Sequence, residues 1–162
     1  MGMIVMRFQN EAQLEGYIRK LITNRITKTN KNIYALKNKN AVDIIICRDG
    51  NDPALFFIEA KYHQKSHGRL GFGSRAGSGF QPEIVSRKPK YFENNLRWII
   101  ASEEYPDAGI LFVDSEVIRE YVSGGVVSQK FNNIQKRIFS EISGLEEKQL
   151  VSELTKWLKS TQ

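Results

Sequence analysis

The run Leu55-Phe-Phe-Ile-Glu-Ala-Lys-Tyr62 constrains the fold more than any other part of the chain. It is short, rich in aromatic and β-branched residues, and preceded by the turn-forming Asp49-Gly50-Asn51-Asp52-Pro53, which together specify a β-strand. Because side chains two apart on a strand point the same way, Glu59 and Lys61 project together out of an otherwise apolar segment. An isolated Glu-x-Lys is ordinarily a surface ion pair, so the surroundings of this one decide its meaning.

Upstream, Ala41-Val-Asp-Ile-Ile-Ile-Cys47 is a second β-like run and Ile33 to Leu36 a short one, with Asn38-Lys39-Asn40 supplying turn chemistry between them. Before these, Asn10 is an N-cap candidate for an amphipathic helix from Glu11, with Leu14, Tyr17, Ile18, Leu21, Ile22 and Ile26 on one face. Met3 to Phe8 reads as a short strand or lead-in. Downstream, Tyr91 to Ser102 reads as a helix around Phe92, Leu96, Trp98, Ile99 and Ile100, Ala108 to Val113 as a buried strand, and Ser115 to Tyr121 as a short helix. Two C-terminal helices, Phe131 to Ile142 and Leu145 to Lys159, are separated by Ser143-Gly144. The expected class is α/β, a central mixed sheet flanked by helices, in one domain spanning residues 1–162.

A hydrophobic fraction of 41% with 26% charged residues excludes a disordered chain. The absence of an 18-residue apolar stretch or signal-like h-region gives no support to membrane insertion or secretion, so the expectation is a cytoplasmic protein. The lone Cys47 lies in an apolar run and receives no catalytic role. The net charge of +6 is unevenly placed. No acid occurs from Gly16 to Val42, where Arg19, Lys20, Arg25, Lys28, Lys31, Lys37 and Lys39 fall, and only Glu83 offsets the basic residues between Lys65 and Lys90. Such stretches suit a polyanionic partner; a solvated face kept for solubility is the alternative.

Asp43 stands at the start of the strand preceding the Glu59 strand, so a hairpin can bring the two carboxylates together. Their repulsion would be relieved by a hard divalent cation such as magnesium, with the Ala60 carbonyl as a further oxygen ligand. Asp43, a turn-containing spacer and Glu59-Ala60-Lys61 resemble the PD-(D/E)xK nuclease superfamily, the restriction-endonuclease-like fold, with Val42 where the motif's name has proline. The order of elements from Glu11 to Val113 is similar to that family's core of a helix, three strands, a helix and a strand.

The resemblance implies a magnesium-dependent nuclease in which Asp43 and Glu59 hold the metal and Lys61 orients the attacking water. It also implies a first-helix glutamate near the metal. Glu15 fits the family's spacing better, while Glu11 lies at least as near the apolar face. A Type II restriction endonuclease, a homodimer cutting double-stranded DNA, is the expected kind. A Holliday-junction resolvase or repair nuclease is the enzymatic alternative, a non-catalytic DNA-binding module the second, and a structural domain the third.

The glycine-rich stretch from Gln64 to Gly79 reads as a substrate loop, with Lys65, Arg69, Arg75 and Gln81 as DNA-contacting candidates. Gly71 to Gly77 lacks the Gly-Lys-Ser/Thr ending of a P-loop, so no nucleotide cofactor is expected. His63 and His67 suit a phosphate contact or plain exposure better than zinc. Trp98 and Trp157 read as core residues on helical faces.

Overall fold

The computed structural model of the chain describes residues 7–36, 42–67, 94–121 and 134–161. The first helix, α1 (Glu11–Leu21), is capped by the Asn10 side chain, which accepts the Gln13 N–H at 2.9 Å. It runs directly into a π-helical turn, Ile22–Ile26. Leu14, Ile18, Leu21, Ile22 and Ile26 form its buried stripe, as the 3.6-residue period requires.

Five strands follow: β1 (Ile33–Leu36), β2 (Ile44–Arg48), β3 (Ala54–His63), β4 (Leu96–Ser102) and β5 (Leu111–Val113), hydrogen-bonded in that order. The β1–β2 and β2–β3 pairs are antiparallel, with Leu36 opposite Ile45 and Ile44 opposite Ile58. The β2–β3 turn places Gly50 at φ +104°, a conformation open to glycine. β3 and β4 are parallel, with Glu59 opposite Trp98 and Lys61 opposite Ile100, and β5 returns antiparallel. The result is a mixed sheet with helices on its faces, the coarse α/β class expected. Among the described residues no helix is long and apolar enough to cross a membrane.

Alternation along β3 divides the core. Phe56, Ile58, Ala60 and Tyr62 join Ile44, Ile46 and Ile99 beneath α1 and the C-terminal helix α4 (Glu147–Leu158). Phe57, Leu96, Trp98, Ile100, Leu111 and Val113 pack on the other face with Ile118 of α2 (Ser115–Tyr121) and Ile138 of α3 (Ile134–Glu141). Arg48 fastens α4 to the sheet: its Nη1 donates to the carbonyls of Leu158 and Ser160 at 2.8 and 2.7 Å, satisfying groups a helix end leaves open.

One expected element is corrected. The described part of the Tyr91 to Ser102 helix is a strand from Leu96, and Trp98 is therefore a strand residue, although fully buried as expected. The reason lies in β4's position between β3 and β5. A strand covered on both faces carries a continuous apolar run, which imitates a buried helix because neither shows polar alternation. The Met3 to Phe8 reading lies mostly outside the described residues, as do the β1–β2 turn and the core of the glycine-rich loop.

Candidate metal centre

The site arises from a difference in strand length. Opposite Ile44, the first residue of β2, stands Ile58, but β3 continues to His63. Backbone N–H groups of alternate β3 residues face the β2 edge, so those of Ala60 and Tyr62 lie beyond the end of β2 and need other acceptors. Two carboxylates supply them. Asp43 Oδ2 accepts the Ala60 N–H at 2.7 Å, and Glu11 Oε2 accepts the Tyr62 N–H at 3.3 Å.

Helix α1 passes this overhang with Glu11 and Glu15 one turn apart. Glu11, Glu15 and Asp43 each offer a carboxylate oxygen, and the three oxygens lie within 4.8 Å of one another. Both first-helix glutamates thus reach Asp43, and Glu11 additionally contacts the β3 backbone. Glu59 is not a member of that trio. It is 2% exposed, and its Oε1 accepts from Lys61 Nζ at 2.9 Å, while Lys61 Nζ stands 3.9 Å from Glu11 Oε1. Lys61 therefore links the two halves of the cluster.

Electrostatics follow from four carboxylates and one ammonium in a partly buried space. Burial pushes the Glu59 carboxyl up to about 7, with Lys61 opposing and the Asp43 charge reinforcing the rise. Burial likewise raises Asp43, against the Ala60 N–H and the charges of Lys61 and Arg19. Glu11 and Glu15 are raised by burial and by the neighbouring carboxylates. Burial disfavours the charge on Lys61, but Glu59 and Glu11 together hold its amine above its ordinary value.

Glu59 Oε2 is buried and accepts no hydrogen bond among the described residues. An orphaned carboxylate oxygen beside an all-oxygen cluster of the same sign is a donor set that fits a hard divalent cation and does not fit a soft one. The Ala60 carbonyl lies on the same strand edge as its N–H.

The remaining expected residues divide. Lys65 is exposed, just past β3, with its N–H donating to Glu103 at 2.9 Å. Arg69, Arg75 and Gln81 lie outside the described residues. His63 is corrected: rather than exposed or able to reach a phosphate, its ring is buried, with Nδ1 2.9 Å from Ser102 Oγ. It ties the ends of the parallel β3 and β4, and the sequence gives no sign of this because the partner lies 39 residues away. Trp157 is buried on α4 against Phe56 and Phe112. Arg19 is the site residue that sequence reasoning passed over, counting it only as part of a basic stretch; its spacing of four from Glu15 was the available signal.

No protein-family model, curated protein or solved structure matches the chain.

Proposed function

We propose that this chain is a magnesium-dependent endonuclease of double-stranded DNA, built on a restriction-endonuclease-like core and acting as a sequence-specific Type II enzyme. The observation that carries the reading is the meeting of Asp43, Glu59 and Lys61 with Glu11 and Glu15 at the overhanging edge of β3. A chance surface ion pair would leave Glu59 and Lys61 in water. Here Glu59 is buried with one oxygen unmatched among the described residues, and the lysine side chain is only 13% exposed, an arrangement costly to maintain without a charged ligand.

Asp43, Glu59, the Ala60 carbonyl and a first-helix glutamate would hold the metal. Magnesium, when bound, supplies neutralisation of the scissile phosphate and a lowered pKa for the attacking water. Lys61 then has two tasks suited to a buried ammonium: donating a hydrogen bond that aligns the water and offsetting charge that develops on the phosphate. Glu59 holds Lys61 protonated, because removing that proton would leave the carboxylate uncompensated in a poorly solvated space. The basic stretches around Arg25, Lys28 and Lys31 and around Lys65 supply attraction for the duplex. Symmetric cutting of two strands requires two such centres, so the working form is a homodimer.

The test is incubation of purified protein and Lys61→Ala with phage and plasmid DNA in magnesium, with an EDTA control and a four-way junction alongside. Discrete duplex fragments, absent in the variant and with EDTA, are expected. Junction-only cleavage replaces the Type II assignment with a resolvase, and no metal-dependent cleavage of any substrate defeats the nuclease reading.

A further inference from the structure

Helix α1 presents a third residue on the flank that carries Glu11 and Glu15. Arg19 follows Glu15 by four positions, so the three stand in one stripe along the helix. Glu11 meets the overhang of β3, and Arg19 meets the hairpin that delivers Asp43. Its Nη1 donates to the Leu36 carbonyl at 2.6 Å, and its Nη2 donates to the carbonyl of Asp43 itself. Leu36 is the last residue of β1 and Asp43 immediately precedes β2. One planar guanidinium therefore grips both sides of the hairpin where the chain leaves and re-enters the sheet.

On the functional reading above, we infer that Arg19 is a positioning residue: by holding the Leu36 and Asp43 carbonyls on one fork it fixes the Asp43 backbone, and through it the place where the Asp43 carboxylate stands. Asp43 lies outside the β2 ladder, and among the described residues its side chain is held by the Ala60 N–H. A fork with two fixed donors sets both distance and orientation, which a flexible single-point ammonium does not.

The experiment compares wild type, Arg19→Gln and Arg19→Lys, each first checked for folding by circular dichroism and Tm. Manganese binding to the protein without DNA is measured by calorimetry, hydrogen exchange of the Ala60 amide by NMR, and DNA cleavage as kcat and KM across a magnesium series. Both variants are expected to bind manganese about tenfold more weakly or worse, as supporting contacts to metal ligands generally do when removed. The Ala60 amide should exchange faster in both. Cleavage should show a lowered kcat at fixed magnesium that recovers as magnesium is raised, with KM for DNA unchanged.

An Arg19→Lys protein that matches wild type, whether or not Arg19→Gln folds, reduces the role to charge and overturns the inference. So does wild-type behaviour in both variants while wild type itself binds and cuts. A wild-type protein that binds no manganese and cuts no DNA fails at the earlier step, taking the functional reading and the role of Arg19 together.

Discussion

The Asp43 carboxylate accepts the Ala60 backbone N–H at 2.7 Å, so an acid expected at a metal centre also terminates the exposed edge of a strand. Glu11 repeats the arrangement one pleat further, at Tyr62. β2 ends five residues before β3 does in register, and among the described residues the open edge is closed by carboxylates rather than by another strand. The two roles need not compete. One oxygen of each carboxylate serves the backbone, and the second oxygen of Glu11 stands 3.9 Å from Lys61 Nζ.

This double duty separates two substitutions at one position. Asp43→Asn keeps an oxygen able to accept the Ala60 N–H but removes the charge, so Tm should stay close to wild type while magnesium-dependent cleavage falls by about a hundredfold or more. Asp43→Ala removes the acceptor as well, orphaning the amide at a cost of about 1–3 kcal/mol. Thermal melts beside cleavage assays check this. Equal Tm losses in the two variants would mean that the hydrogen bond contributes nothing to the fold.

The first-helix glutamates differ in attachment, and the difference should appear in kinetics. Glu11 touches both Lys61 and the β3 backbone, whereas the position of Glu15 in the cluster rests on its proximity to Asp43 and Glu11. Glu11→Gln is expected to lower kcat/KM by roughly tenfold more than Glu15→Gln, because it disturbs the ammonium that aligns water as well as the ligand set. The reverse ranking would identify Glu15 as the metal-facing member and reduce Glu11 to an edge cap.

Much of this geometry was legible in the chain. The short aromatic and β-branched run after a strong turn marked β3, strand geometry gave Glu59 and Lys61 their shared direction, the turn at Asp49 to Pro53 marked the hairpin, and the N-cap at Asn10 marked where α1 begins. Two things were not. β4 was hidden because burial on both faces erases the alternation by which strands are recognised. The company Asp43 keeps was hidden because it depends on the angle at which α1 crosses the sheet. Sequence spacing pairs Asp43 with Glu59; packing also brings a carboxylate oxygen of Glu11 and one of Glu15 to within 4.8 Å of one on Asp43.

The buried carboxylates make metal-free stability depend on pH in a definite direction. Glu59 has an ordinary value of 4.5 and is raised to about 7 in the folded chain, so the folded state binds its proton more tightly than the unfolded one. Its contribution is therefore fully present below about 4.5 and lost as pH rises through 7, on the order of 3 kcal/mol. Glu11, Glu15 and Asp43 are raised and act in the same sense. In EDTA, Tm of wild type should fall relative to Glu59→Gln by several degrees between pH 5 and 8, and magnesium should reverse most of the fall. Parallel pH profiles for the two proteins would show that Glu59 is not desolvated as described.

A last prediction concerns the joint that holds the C-terminal helices to the sheet, well separated in role from the acidic cluster. Ile110 and Leu145 form an antiparallel bridge, with N–H to carbonyl distances of 3.1 and 2.8 Å. For that bridge to close, Gly144 must lie directly against the backbone of Ala108. A Cβ built there would stand 1.6 Å from the Ala108 carbonyl oxygen and 2.7 Å from its carbon. Both are backbone atoms, so no side chain can rotate to make room, and the bridge must open or β5 must shift. Gly144→Ala should therefore destabilise by about 2 kcal/mol or more, lowering Tm by roughly 5 °C. At a temperature where the variant remains folded, kcat should match wild type, because among the described residues no contact of Asp43, Glu59 or Lys61 passes through this joint. A variant as stable as wild type would show that the chain approaches itself less closely at Ala108 than the bridge requires.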